Sequence, residues 1–241
     1  GDGPLEVVSA RAGQMYEDYY PFDKHPELPV YDGELLMDVH ATGCYTSQAA
    51  MKRFNRRNEQ LADAAERASV MAHWLGAAAY PAEELRTEWR RFIWHQFHDD
   101  LTGTSIPRAY TFSWNDELIA QDKFANLAAS ASGGVSRALD TRVKGIPVVV
   151  YNPVAEIRRE VVEAEVAAAA QPRAVSVWSP RGERVPAQLL GYKDGKARIA
   201  FAAEVGAVGY AVYDLRMQGA AVRSSLKATP NSLENRIYKL T

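Results

Sequence analysis

The stretch WHQFHDDLTGTS, residues 94–105, decides the fold because it lies between two amphipathic runs. Before it, apolar side chains recur at helical spacing from Leu85 onward, and after it Pro107 suits the first position of a further helix. The Thr-Gly-Thr triplet inside the stretch is typical of a turn. We therefore predict a helix that runs to His98 and stops near Gly103, followed by another helix that packs against it.

Three amphipathic helices are predicted between about residue 46 and about residue 140. The first is expected to be capped by Thr46 or Ser47 and to end at Gly76. The glycine pair 133–134 lowers helix propensity, so we expect a bend or fraying there. Because the connections are short, an antiparallel three-helix bundle is expected. The apolar positions assigned to its buried faces are Phe54, Leu61, Ala65, Ala68, Ala72, Leu75, Leu85, Trp89, Phe92, Ile93, Trp114, Leu118, Phe124, Leu127, Ala131, Val135 and Leu139.

From Gly145 onward the apolar period becomes that of strands. Ser179–Gly182 and Lys193–Lys196 have the composition of hairpin turns. These features predict an antiparallel β-sandwich-like region, and the fold class is therefore α+β. The predicted strands are Ile146–Tyr151, Arg158–Val166, Ala174–Trp178, Val185–Leu190, Ala197–Val205 and Tyr210–Arg216.

Charge and hydropathy exclude several classes of protein. The 28 basic and 30 acidic residues give a net charge of −2, which argues against a nucleic-acid-binding protein. The basic run Lys52–Arg57 is interpreted as a solvated helix face. No apolar run approaches the ~18 residues of a membrane span, so no membrane partner is expected. Cys44 is the only cysteine, so no intrachain disulfide can form; the compartment, cytoplasmic or exported, stays open.

The quoted stretch also carries the candidate chemistry. Two histidines and two aspartates lie within six residues at 95–100, and these are common zinc ligands. By themselves such residues more often form a solvated helix end than a site. His95 is interpreted as structural, packed against the bundle.

Three blocks, in order, resemble the family thirty-eight glycoside hydrolases, the zinc-dependent alpha-mannosidases. The first resembles that family's join between the catalytic domain and a helical middle domain. The second is the quoted stretch from Gln96, and the third resembles the first strand of the C-terminal β region. The blocks are GELL at 33–36 followed by His40, YTSQA at 45–49, KR at 52–53 and NRR at 55–57; QFHDDLTGTS at 96–105; and VVVYNP at 148–153.

The resemblance implies roles for individual residues. His98 aligns with a zinc-ligand histidine, and Asp100 or a backbone carbonyl is expected to orient its other ring nitrogen. Asp99 aligns with an aspartate that hydrogen-bonds sugar hydroxyls. Thr104 lies where the turn approaches the sugar, and Tyr45 lies in the join that borders the same site.

The chain also departs from the family. The commoner pattern His-Arg-Gly-Thr-Tyr-Thr reads HATGCYT at 40–46, one residue longer and without the arginine, which puts a sugar contact from His40 in doubt. The family's other zinc ligands, a His-x-Asp pair and an aspartate that is also the nucleophile, lie in its catalytic domain and have no counterpart here. Catalytic zinc sites use about three protein ligands.

The expectation is therefore a central piece of a longer enzyme. Residues 1–44 would be the end of a catalytic domain with the join, 45–143 the helical middle domain, and 144–241 the start of the β domain. The intact enzyme would use zinc to hydrolyse terminal alpha-mannosyl residues of a glycan or glycoside with retention. The piece alone would be inactive and free of zinc, because it lacks the ligands to retain the metal.

Two other interpretations remain at this point. One is a structural or interaction protein whose His-Asp run is an ordinary helix end. The other is a carbohydrate-binding module without catalysis. The preferred linkage and the oligomeric state stay open, and a homo-oligomer is one of the alternatives.

Overall fold

The computed structural model describes residues 3–4, 7–34, 42–219 and 225–241. The chain divides into two compact units, Gly1–Gly43 and Cys44–Thr241. The described part of the first unit contains a short helix, α1 (Gln14–Asp18), and a 3-10 turn at Phe22–Lys24.

Three helices begin the second unit: α2 (Ala49–Trp74), α3 (Ala82–Trp94) and α4 (Pro107–Ala138). The polar pair Asn58 and Glu117 lies near the start of α2 and α4, and Ala72 packs in one cluster with Val135 near their ends. α2 and α4 therefore run in the same direction, and α3 runs back between them. The predicted bundle of consecutive antiparallel helices is confirmed.

Small side chains bring α2 and α4 together. Ala62 and Ala65 on α2 are fully buried, and they pack in one cluster with Ala120 on α4. α4 continues without interruption through Gly133 and Gly134, so the expected fraying does not occur. Gly134 is buried beside Ala77, and this packing outweighs the low helix propensity of glycine.

Seven strands follow, close to the predicted positions, and they form two antiparallel sheets with the orders β1-β7-β3-β4 and β2-β6-β5. The predicted strand Val185–Leu190 is divided by Pro186, which has no N–H to donate to a ladder, and the chain crosses there from one sheet to the other. The strands are β1 (Ile146–Asn152), β2 (Arg158–Ala167), β3 (Ser176–Trp178), β4 (Arg184–Val185), β5 (Ala187–Lys193), β6 (Lys196–Val205) and β7 (Gly209–Arg216).

The two sheets share one apolar core. Ile199 and Phe201 of β6 contact Val177 of β3 and Tyr213 and Leu215 of β7, and all are buried. This arrangement confirms the sandwich-like region and the α+β class. A further small antiparallel sheet is formed by β8 (Lys227–Thr229), β9 (Ser232–Glu234) and β10 (Lys239–Leu240).

Two stacked tyrosines join the bundle to the sandwich. The rings of Tyr151 on β1 and Tyr210 on β7 lie 4.7 Å apart between centroids. The Tyr151 hydroxyl donates to the carbonyl of Ala64, and the Tyr210 hydroxyl donates to Ser132 Oγ, each over 3.3 Å. The sandwich is thus attached to both α2 and α4. Among the described helices, none combines the length and apolarity needed to cross a membrane.

Candidate functional site

The turn between α3 and α4 carries the predicted site, and it begins earlier than the sequence indicated. α3 ends at Trp94 and not at His98. The amides of His95 and Gln96 bond to carbonyls three residues earlier, so the helix tightens and stops. We call residues 95–105 the site turn.

His95 is buried at the base of the site turn, as its structural interpretation required. Its Nδ1 lies 2.5 Å from Asp100 Oδ2, and its Nε2 lies 3.2 Å from Asp116 Oδ2 on α4. Each ring nitrogen of His95 therefore faces a carboxylate oxygen, which can accept a hydrogen bond. Arg91 donates to the other oxygen of Asp116 over 3.0 Å.

Asp100 points into the bundle and not toward His98. Besides facing His95, it accepts a hydrogen bond from Ser113 Oγ at 2.8 Å. The expectation that Asp100 orients the His98 ring is therefore wrong. The physical reason is that the buried side chains of His95 and Ser113 compensate the carboxylate for its lost hydration.

Tyr110, also buried, joins the middle of the site turn to its C-terminal end. Its hydroxyl donates to the carbonyl of Asp99 over 3.1 Å and accepts from the amide of Ser105 over 3.1 Å. The amides of Thr104 and Ser105 also donate to the Asp99 carbonyl. The backbone on either side of the Asp99 side chain is consequently fixed.

The start of α2 holds the site turn from a third direction. Lys52 Nζ donates to the carbonyl of Leu101 over 2.8 Å, and Ser47 Oγ donates to the carbonyl of Gly103 over 2.9 Å. Ser47 was predicted as a cap of α2, but no side-chain cap is formed, and its hydroxyl is used here instead. Gly103 has φ +86°, and a Cβ there would lie 2.8 Å from the Ser47 carbonyl carbon.

The site turn presents three of the four predicted site residues together. The side chains of His98 and Asp99 are 77% and 53% exposed, with His98 Nε2 3.6 Å from Asp99 Oδ2. Thr104 Oγ1 donates to Asp99 Oδ1 over 3.2 Å. Tyr45 ends a 3-10 turn (Thr42–Tyr45) and is exposed, and within the described part of the chain it has no hydrogen bond to these three. His40 lies outside the described residues.

Exposed aromatic side chains surround the site turn. Trp94, Phe97 and Phe112 line a shallow pocket with His95 at its base. The Phe97 ring centroid lies 4.1 Å from that of His98, so one face of the imidazole is covered. These aromatic side chains and the side chains of His98 and Asp99 are all exposed to solvent.

A buried polar pair below the site turn was not predicted from the sequence. Asn58 Nδ2 donates to the carboxylate of Glu117 and, over 3.0 Å, to its backbone carbonyl. Burial raises the pKa of Glu117 from 4.5 to about 7, and the carboxylates of Asp100 and Asp116 also raise it. Its spacing of four from Ser113 and three from Ala120 is the signal that placed it on the buried face.

The described residues do not by themselves fit a zinc ion. No group of three or more His, Cys, Asp or Glu among them is arranged to hold a metal. His98 and Asp99 offer one imidazole and one neighbouring carboxylate, whereas a catalytic zinc site uses about three protein ligands with a water. Any site for zinc at this surface therefore needs ligands from outside the described part.

Comparison with known proteins identifies the central segment. Residues 39–131 match the family model described as the alpha mannosidase middle domain. This segment is similar to that domain. It contains α2, α3, the site turn and most of α4, so His98, Asp99 and Thr104 all belong to the alpha mannosidase middle domain match.

Curated relatives match the chain over a similar length. The chain is 38% identical over 97 residues to Alpha-mannosidase 2C1 of Mus musculus, covering 40% of the chain and 8% of the relative. It is 33% identical over 114 residues to Alpha-mannosidase of Saccharomyces cerevisiae, covering 45% of the chain and 10% of the relative. The matched part is thus about a tenth or less of these relatives.

Solved structures share the fold over more of the chain. An alpha-mannosidase from Enterococcus faecalis matches 83% of the chain and 27% of its own, with a TM-score of 0.62 and 20% identity. A protein in glycosyl hydrolase family 38, also from Enterococcus faecalis, matches 93% and 31%, with a TM-score of 0.63 and 22% identity. Both alignments extend beyond the helices, so the order of bundle and sandwich is shared.

Proposed function

We propose that the chain is the central part of an enzyme that hydrolyses terminal alpha-mannosyl residues with retention and uses zinc. The observation that carries this proposal is the match of residues 39–131 to the alpha mannosidase middle domain. Support comes from the site turn inside that segment, which presents an exposed histidine and aspartate on a fixed backbone.

The side chains of the site turn have the chemistry for a partial sugar and metal site. One imidazole nitrogen of His98 would coordinate zinc. The positive charge of the metal would attract hydroxyl oxygens of the sugar. The Asp99 carboxylate would accept hydrogen bonds from sugar hydroxyls. Thr104 would hold that carboxylate in place through its 3.2 Å hydrogen bond, and Tyr45 would border the sugar.

The chain on its own should neither hydrolyse an aryl alpha-mannoside nor retain one equivalent of zinc. Retaining hydrolysis needs two carboxyl groups about 5 Å apart across the scissile bond. Zinc held by one or two ligands dissociates readily because affinity depends on the number of ligands and their support. The missing groups would belong to a catalytic domain of the longer protein.

The experiment compares this chain with the longer protein encoded by its gene. Both are purified, dialysed, and assayed for zinc by metal analysis and for release of an aryl group from an alpha-mannoside. We expect zinc and hydrolysis in the longer protein alone. Hydrolysis by the isolated chain, or no hydrolysis by the longer protein, would overturn the proposal; in the second case, retained binding of mannosides would favour the carbohydrate-binding alternative.

A further inference from the structure

We infer that Asp100 and His95 are positioning residues that hold the site turn so that His98 and Asp99 face the sugar. This inference rests on the proposed function for its enzymatic consequence. Its structural part concerns only the described residues. The two side chains meet inside the bundle, where His95 is buried and the side chain of Asp100 is 14% exposed.

The side chains of three consecutive residues differ in direction: those of His98 and Asp99 point outward, and that of Asp100 points inward. The side chain of Asp100 is 14% exposed, whereas those of His98 and Asp99 are 77% and 53% exposed. An inward carboxylate directly after two outward side chains sets the rotation of the backbone between them. If Asp100 were released from the interior, the site turn would keep its backbone hydrogen bonds but lose its anchor in the bundle, so it should open more often.

Asp100 is held by side chains from two parts of the structure. Its carboxylate faces His95, the first residue of the site turn, and accepts from Ser113 on α4. His95 in turn reaches Asp116, which is held by Arg91. The chain of contacts therefore connects α3, the site turn and α4. Charged hydrogen bonds of this kind are stronger than those between neutral groups.

Other contacts hold the backbone of the site turn, but they do not hold the side chain of Asp100. Tyr110, Lys52 and Ser47 bind backbone carbonyls of the site turn, and they do not contact the carboxylate of Asp100. Asp100 is thus the one side chain, among those of the described site turn, that anchors it through a carboxylate in the bundle interior. Its removal leaves His95 facing Asp116 alone.

The test uses the variants Asp100→Ala and Asp100→Asn, with Asp122→Ala as the matched control. Asp122 is an exposed aspartate on α4 that accepts from Asn126 one turn away, so its loss removes a carboxylate without touching the site turn. Asparagine at position 100 keeps an oxygen for Ser113 and a polar group for His95.

The first measurement is amide hydrogen exchange of the 241-residue chain, read at Thr104 and Ser105. Both amides donate to the Asp99 carbonyl, so their exchange reports opening of the site turn. We expect exchange about tenfold faster or more in Asp100→Ala, a smaller change in Asp100→Asn, and none in Asp122→Ala. Unchanged exchange in Asp100→Ala would overturn the inference.

The second measurement is kcat/KM for an aryl alpha-mannoside in the longer protein. We expect a loss of about 100-fold for Asp100→Ala, because small misplacements of binding groups have effects of that size, and recovery of most activity in Asp100→Asn. Equal losses in both variants would overturn the positioning role. If Asp100→Ala fails to fold, Ser113→Ala removes one hydroxyl of the same contact and is expected to shift exchange in the same direction.

The two proposals fail in different ways. If the longer protein has no mannosidase activity, the proposed function is wrong, and the exchange of Thr104 and Ser105 still decides whether Asp100 holds the site turn. If the longer protein is active but Asp100→Ala keeps wild-type kcat/KM and exchange, the proposed function stands and the positioning role is wrong.

Discussion

Asn58 donates a side-chain hydrogen bond to the carboxylate of Glu117, and both side chains are fully buried between α2 and α4. The pair lies close to the site turn, because the charges of His95, Asp100 and Asp116 all affect the pKa of Glu117. A carboxylic acid in this position is neutral more easily than one in water, which makes it the centre of a measurable pH effect.

Replacing Glu117 by Gln should remove a pH-dependent part of the stability. Burial raises the pKa of Glu117 to about 7, so the folded chain holds the proton more tightly than the unfolded chain. The free energy that this tightly held proton contributes to stability is fully present below the unfolded pKa of about 4.5. It is lost as the pH rises through the folded pKa of about 7. The free energy of unfolding of the wild type, minus that of Glu117→Gln, should therefore fall by about 3 kcal/mol between about pH 4 and about pH 8.

Urea denaturation at several pH values measures this difference, and Glu84→Gln is the control. Glu84 is an exposed carboxylate on α3, so the same chemical change there should give a difference that does not vary with pH in this range. A flat difference for Glu117→Gln as well would show that the buried carboxyl titrates normally.

Gly103→Ala should destabilise the chain by about 2–4 kcal/mol. The residue has φ +86°, which disfavours any side chain, and a Cβ would also collide with the backbone of Ser47. Gly76→Ala is the matched control, because Gly76 has φ +67° with open space around it, and it should cost only about 1 kcal/mol. Thermal or urea unfolding of both variants measures the extra cost of the contact with Ser47; equal costs would mean that this contact is absent in solution.

Ala120→Leu should destabilise the bundle by about 1–3 kcal/mol or prevent its folding. Ala120 is fully buried where α4 approaches α2, and a larger side chain would force the helices apart. Ala125→Leu places the same change on the exposed face of α4 and should alter stability by less than about 0.5 kcal/mol. The comparison is read from urea midpoints, and a similar loss in both variants would contradict close packing between α2 and α4.

A double-mutant cycle on Tyr151 and Tyr210 should reveal direct coupling between these residues. Their rings stack at 4.7 Å, and each hydroxyl contacts a different helix. With Tyr151→Ala, Tyr210→Ala and the double variant, we expect a coupling energy of about 0.5–1.5 kcal/mol. Additive losses would indicate that the rings do not stack in solution. Tyr192→Ala, paired with Tyr151→Ala, supplies a non-stacked control.

Periodicity alone was enough to predict most of the fold. The change of period near Gly145 separated helices from strands, and the strand limits differ from those predicted by only a few residues. The buried face at the start of α4 was wrong. Trp114 and Leu118 were expected inside, but they are 39% and 50% exposed, because Ser113 and Glu117 occupy the interior with polar partners on other elements.

Part of the candidate site was also predictable from the local sequence. His98, Asp99 and Thr104 are close in sequence, so a turn brings them together. The buried position of His95 involves its contact with Asp116, which lies 21 residues away in the sequence, and no local pattern shows such a contact. The zinc role of His98 and the sugar contacts of Asp99, Thr104 and Tyr45 stay predictions.

The central claim is tested most directly by replacing His98 in the longer protein. His98→Ala removes the proposed zinc ligand from an exposed position, so folding should be retained while zinc content and mannosidase turnover fall, turnover by at least about 100-fold. His73→Ala, an exposed histidine on α2 away from the site turn, is the control and should keep both. Metal analysis and an aryl alpha-mannosidase assay on the same preparations give the answer. Normal zinc content and normal turnover in His98→Ala would contradict the account.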